Sequence, residues 1–226
     1  MGKEITLTAA DGHTFAAYEK TPSSGVVRGG LVVVQEIFGV NAHIRRVADG
    51  FAEDGYRVIA PAIFDRAERG VEIGYEKPDF ERGAALRKAI PVDHTLADIA
   101  AAVASLQTSG RVGIVGYCYG GSLAWLAAAR VGGVAAAVGY YGGTIASNLD
   151  AKPRCPVMLH FGEDDPGIPM SDVAKIRSAA DPALVQVFTY KEAGHAFNRE
   201  GNAAWRGEAA HVARERTIAF LREHVG

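Results

Sequence analysis

The chain is poor in cysteine: Cys118 and Cys155 are the only two among 226 residues. Two thiols cannot staple a disulfide scaffold, so reduced thiols in the cytoplasm are the expectation. No CxxC, HxxxH or HExxH spacing occurs, and no zinc or other metal site is expected. Neither sign of charge dominates. The 24 Lys and Arg against 26 Asp and Glu leave a formal net charge of −2, which offers no basic face to nucleic acid or to an anionic membrane. Long hydrophobic runs are missing too. Stretches such as Val134 to Tyr141 fall far short of the roughly 20 apolar residues that a membrane span requires. There is no Pro/Ser-rich linker, charge block, low-complexity tract or solenoid repeat. Met1-Gly2-Lys3-Glu4 opens a polar strand rather than a signal peptide, and Thr6 in a chain that soon becomes strand sets Gly2 aside as a myristoylation site. These absences leave one domain over residues 1–226, expected as a monomer with an oligomer left open.

What is present is apolar residue, 48% of the chain, enough to bury a large core. Ile5 to Thr8, the turn Asp11-Gly12, and Thr14 to Tyr18 alternate as a β-hairpin does. Gly30 to Val34 is a continuous apolar run, the mark of a strand covered on both faces. Asn41 caps a helix running to Asp54, closed by Gly55, and Arg57 to Ala60 is the next buried strand. Residues 62–91 are charged and rich in breakers, and read as a cap-like excursion with one helix around Phe80 to Lys88. Leu96, Ile99, Ala100, Val103 and Leu106 have helical spacing. Strands follow at Val112 to Val115, Ala135 to Tyr140, Val157 to Phe161 and Leu184 to Tyr190. Helices are expected at Ser122 to Arg130, Ser171 to Ala180 and Ala203 to Glu223. Apolar strands alternating with helices predict an α/β fold: a mostly parallel central sheet behind an N-terminal antiparallel hairpin, with helices on both faces. Sites in such sheets form beyond the carboxyl ends of the strands.

Three residues at such ends carry chemistry. Cys118 sits in Gly116-Tyr117-Cys118-Tyr119-Gly120-Gly121, between an apolar strand and an Ala-rich helix. That is the G-x-nucleophile-x-G elbow of the α/β-hydrolase fold with a thiol where serine is usual. A strand turning abruptly into a helix holds the corner residue at strained angles, and the helix N-terminus favours a thiolate and later an oxyanion. A thiol nucleophile needs a base, and the base an orienting acid. His195 in Glu192-Ala193-Gly194-His195-Ala196-Phe197 is the base expected. Asp165, chosen over Asp164 and Glu163 by the Asp-x-x-Ile-Pro register, is the acid. Their chain order is that of α/β-hydrolases. His160 reads instead as a hydrogen-bonded core residue, and His13, His43, His94, His211 and His224 as turn or helix-surface positions. Cys155 has no comparable setting and reads as structural. The N–H groups of Tyr119 and Ile37 are the candidate oxyanion donors. Glu36 stands at the end of a buried strand, either as partner to a nearby arginine or with a catalytic role.

Gln35-Glu36-Ile37-Phe38-Gly39-Val40-Asn41, Val115 to Gly121, Val138-Gly139-Tyr140-Tyr141-Gly142 and Glu192 to Phe197 together resemble the dienelactone hydrolase family, across essentially the whole chain. The resemblance implies a Cys118, His195, Asp165 triad and hydrolysis of the ring ester of dienelactone to maleylacetate, without metal or organic cofactor. It implies that Glu36 holds the resting thiol and releases it when substrate binds. It also implies arginines for the substrate carboxylate: Arg199, with Arg82 or Arg87 as the second. Ala196 stands where the family has a serine, and residues 62–91 lack tryptophan, so the acyl group is the open point. A broader carboxylesterase and a non-hydrolytic thiol sensor or ligand-binding protein are the alternatives. Haloacid and epoxide hydrolases carry Asp at the elbow.

Overall fold

A computed structural model describes residues 2–226. The expected hairpin is there as β1 (Lys3–Thr8) paired antiparallel with β2 (Thr14–Lys20). Next come β3 (Gly29–Val34), α1 (Ala42–Glu53) and β4 (Tyr56–Pro61), then the excursion with α2 (Lys77–Ala89) and α3 (Val92–Leu106). The second half alternates β5 (Val112–Tyr117), α4 (Tyr119–Arg130), β6 (Val134–Tyr140), β7 (Val157–Gly162), α5 (Met170–Ala179), β8 (Val185–Tyr190) and α6 (Gly207–His224). All eight strands form one sheet in the order β1-β2-β4-β3-β5-β6-β7-β8, parallel from β4 through β8. Every residue of β3, β5 and β7 is buried, which is why β3 and β5 read as continuous runs rather than alternations and β7 as one interrupted by His160.

Right-handed crossovers place α1 on one face and α3, α4 and α5 on the other. The last helix, α6, returns to the α1 face, where Arg214 bonds to Asp54 and lies 4.2 Å over the Phe51 ring. As expected, the Asn41 side chain caps α1, accepting from the N–H groups of His43 and Ile44 at 3.2 and 3.3 Å. The terminal helix starts at Gly207 and not at Ala203. Asn202 Oδ1 accepts from the Ala204 N–H, and Arg206 Nη1 donates to the Ala203 and Trp205 carbonyls, so a side-chain-stabilised turn displaces the first helical turn. The excursion is fastened at Arg66, which bonds both to Asp98 on α3 and to Asp11 in the hairpin turn. No single helix among the described residues is long and apolar enough to cross a membrane.

His160 is the buried core residue the sequence suggested. Its Nδ1 lies 2.9 Å from the Tyr190 hydroxyl and its Nε2 3.2 Å from Thr217 Oγ1, which also meets the Tyr140 hydroxyl. Arg216, on α6, donates to Tyr190 and lies over the Phe188 ring. Burial, with Arg216 as the nearby charge, pushes the His160 imidazole down to about 3. The unfolded chain binds a proton below the ordinary value of about 6.5 that the folded chain refuses, so this group withdraws stability as pH falls from 6.5 toward 3. At pH 4.5 the penalty is about 2 to 3 kcal/mol. Urea unfolding at pH 7 and pH 4.5 checks it: His160→Gln is expected to be weaker at pH 7 and to lose less on acidification. An equal acid loss in both proteins would remove the argument.

Candidate active site

The elbow is built by close backbone approach. Cys118 adopts φ 55° and ψ −113° between β5 and α4, a conformation that L-residues hold only when their surroundings enforce it. A Cβ on Gly116 would lie 1.9 Å from the Gly120 carbonyl oxygen, and one on Gly120 would lie 2.3 Å from that of Val34. Both positions therefore require glycine. The Cys118 N–H donates to the Tyr140 carbonyl, and the Ser122 N–H takes the Cys118 carbonyl as the helix begins. Cys118 is half-buried. Cys155 is buried, and desolvation pushes its thiol up to about 11, as fits an inert structural position.

Asp165 and His195 come together as expected. Asp165 Oδ1 accepts the Gly167 N–H at 2.8 Å, which locks the carboxylate in a tight loop after β7, while Oδ2 lies 2.7 Å from His195 Nδ1. A carboxylate only accepts, so Nδ1 carries the proton and Nε2 is left for the thiol. Asp165 is buried, whereas its neighbour Asp164 is exposed. The His195 loop is held by the Asp164 N–H on the Ala193 carbonyl and by Arg206 Nε on the Glu192 carbonyl. Burial alone would push the imidazole down. The hydrogen bond that Nδ1–H donates to Asp165 and the Cys118 sulfur beside the ring outweigh it and hold His195 up at about 10. The arrangement can move a proton between sulfur and imidazole, and it stabilises the protonated ring.

Glu36 and Arg199 meet each other. Arg199 Nη2 donates to Oε1 at 2.7 Å and Nε to Oε2 at 3.1 Å, a buried two-pronged pair, and the guanidinium lies 4.1 Å over the Tyr75 ring. Glu36 thus has an arginine as its partner, while the thiol neighbours His195, so the holding of the thiol by Glu36 that the resemblance implies is not the contact seen. Arg82 is drawn to Glu68 on the surface and away from the site. Arg87 lies 4.8 Å over the Tyr119 ring. The Ile37 N–H has no acceptor among the described residues, and Tyr119 is the first residue of α4, whose N–H groups have no partner within the helix.

Four residues escaped the sequence reading. Tyr141, at φ 39° beyond β6, places its ring 5.0 Å from His195. Its position beside Tyr140 at the carboxyl end of a strand was the signal. Tyr75 and Phe38 pack under Arg199, and nothing in the breaker-rich excursion singles out Tyr75. His43, expected on the helix surface, is buried in the first turn of α1; desolvation lowers its basicity against the opposing charge of Glu36.

The dienelactone hydrolase family model matches residues 15–225. A carboxymethylenebutenolidase of Pseudomonas putida is 34% identical over 226 residues, covering 96% of this chain and 94% of its own, and one of Pseudomonas knackmussii matches equally. A solved protein of Klebsiella pneumoniae is 29% identical with a TM-score of 0.83, covering 98% of this chain and 100% of its own. An esterase of Pyrococcus furiosus, 15% identical with a TM-score of 0.75, covers 100% of this chain and 93% of its own and shares the fold. A match over nearly the whole chain, on an α/β-hydrolase sheet, places this protein in the dienelactone hydrolase family, as a carboxylic ester hydrolase.

Proposed function

We propose that the protein hydrolyses the ring ester of dienelactone (4-carboxymethylenebut-2-en-4-olide) to maleylacetate, with Cys118 as nucleophile. The observation that carries this reading is the thiol at a strained elbow beside an imidazole whose other nitrogen is 2.7 Å from a buried carboxylate. Cys118 sulfur attacks the ring carbonyl, the N–H groups of Ile37 and Tyr119 stabilise the oxyanion, and ring opening leaves a thioester. The enolate leaving group stays tethered to the acyl chain. It takes a proton from the His195 imidazolium, and His195 then draws a proton from water as the thioester is hydrolysed. These steps use only groups of the protein, the ester and water.

Arg199 supports a substrate that carries a carboxylate. Two of its three nitrogens go to Glu36, and Nη1 makes no hydrogen bond among the described residues. Arg87 is a second cation near Tyr119. Two Pseudomonas relatives bear the carboxymethylenebutenolidase name, which favours the same substrate. Steady-state kinetics on cis- and trans-dienelactone beside p-nitrophenyl acetate test the reading. At least one lactone isomer is expected to give the higher kcat/KM. Far faster cleavage of the acetate would point to a broad carboxylesterase.

A pH profile tests the proton carrier. Protonated His195 is stable below its ordinary range and persists until pH passes about 10, so the falling limb of kcat/KM is expected near 10. In Asp165→Asn the hydrogen bond that raises the imidazole is lost, and the limb should move toward neutrality. An unmoved limb would mean that another group sets it.

A further inference from the structure

We propose that α2 is the element that positions both oxyanion donors, with Gly83 and Arg87 as its positioning residues. The inference rests on the cysteine hydrolase reading above. With Leu86 partly buried against the core, helix α2 meets the body most closely at one point, its single buried residue Gly83. That point is the carbonyl of Ile37: a Cβ on Gly83 would lie 2.0 Å from the Ile37 oxygen, 3.1 Å from its carbonyl carbon and 3.2 Å from its Cβ. Arg87 is four residues on and therefore on the same helix face. Its guanidinium lies 4.8 Å over the ring of Tyr119, itself buried. One face of one helix thus rests on Ile37 at one end and on Tyr119 at the other. These two residues come from different segments, the loop after β3 and the start of α4, which are tied by the Gly120 N–H on the Gln35 carbonyl at 3.1 Å, and α2 adds a second tie through Ile37 and the Tyr119 ring.

The loop that carries Ile37 is held on its far side as well. The Ile73 N–H donates to the Phe38 carbonyl at 3.1 Å, and Gly39 forms an isolated antiparallel bridge with Glu72. The Ile37 peptide is therefore confined between residues 71–73 and α2. Adding a methyl group at residue 83 cannot be absorbed by a flexible side-chain tip, because the two nearest atoms it meets, the Ile37 oxygen and carbonyl carbon, are backbone. Either the Ile37 peptide shifts, or α2 lifts and carries Arg87 off Tyr119. Each route disturbs the same pair of donors.

Two reactions of one sulfur separate this role from general damage. Turnover of p-nitrophenyl acetate passes through an oxyanion, whereas alkylation by iodoacetamide is displacement at a saturated carbon and does not. Gly83→Ala is expected to lower kcat for the acetate by about 10- to 100-fold, with KM and the rate of Cys118 alkylation each within about two-fold of wild type. Arg87→Ala is expected to lower kcat by a smaller factor, and Arg87→Lys, which keeps a cation over the ring, to restore most of it. Unchanged kcat in Gly83→Ala would overturn the proposal, and so would equal losses in turnover and alkylation or a change confined to KM. If Cys118→Ala kept wild-type turnover, the nucleophile assignment itself would fall, a result distinct from all of these.

Discussion

Cys118→Ala is expected to lower kcat/KM for the preferred ester by about 10⁴- to 10⁶-fold, while Cys155→Ala stays within about two-fold of wild type. The two cysteines differ in every respect that governs thiol reactivity. Cys118 is half-exposed at the N-terminus of α4, held at φ 55°, beside an imidazole kept protonated by Asp165. Cys155 is buried and its thiol is pushed up to about 11 by desolvation, so almost none is ionised at neutral pH. Alanine at residue 118 removes the atom that attacks without altering the elbow, whose shape depends on Gly116 and Gly120. The thermal midpoint should therefore stay near that of the wild type, because alanine at φ 55° carries the same backbone strain as cysteine. Mass spectrometry after brief exposure to the substrate gives an independent reading: an acyl adduct is expected on the Cys118 peptide. Turnover that survives in Cys118→Ala, or falls in Cys155→Ala, would sink the assignment.

Those residues also mark what can be read without coordinates. The elbow, the acid loop and the histidine loop each lie within a few residues of an apolar strand, and the rule that sites form at strand ends brings them together. The Asp-x-x-Ile-Pro register separates Asp165 from Asp164, and the structure gives a physical counterpart: Asp165 Oδ1 accepts the Gly167 N–H of the loop that follows. The excursion was a different matter. Its helix has one buried residue, so it has no apolar stripe for periodicity to detect. Which of Arg82 and Arg87 faces the site is set by Glu68 and Tyr119, partners far away in sequence or on another loop. His43 departs from its expected surface position for a related reason. Polar residues in a first helical turn are normally solvated, but here the loop bearing Arg199 covers it, and that loop joins the α1 region only in three dimensions.

Glu36→Gln is expected to destabilise the protein by about 3 kcal/mol, and Arg199→Met by a similar amount, while the double variant should recover most of the loss. Glu36 is 1% and Arg199 8% exposed, so each charge has given up water and depends on the other. Removing one partner leaves the second desolvated and unpaired, which costs more than the pair itself contributes; removing both leaves a Gln and an apolar side chain among Phe38 and Tyr75. Urea unfolding of the four proteins at pH 7 gives the coupling, and additive single losses would show that the pair is not the dominant interaction. The same cycle separates two roles for Glu36 in catalysis. If its carboxylate only holds Arg199 in place, the double variant hydrolyses p-nitrophenyl acetate at nearly the wild-type rate and loses selectively on the carboxylate-bearing lactone. If Glu36 acts on the thiol directly, turnover of both esters falls in every variant that lacks it.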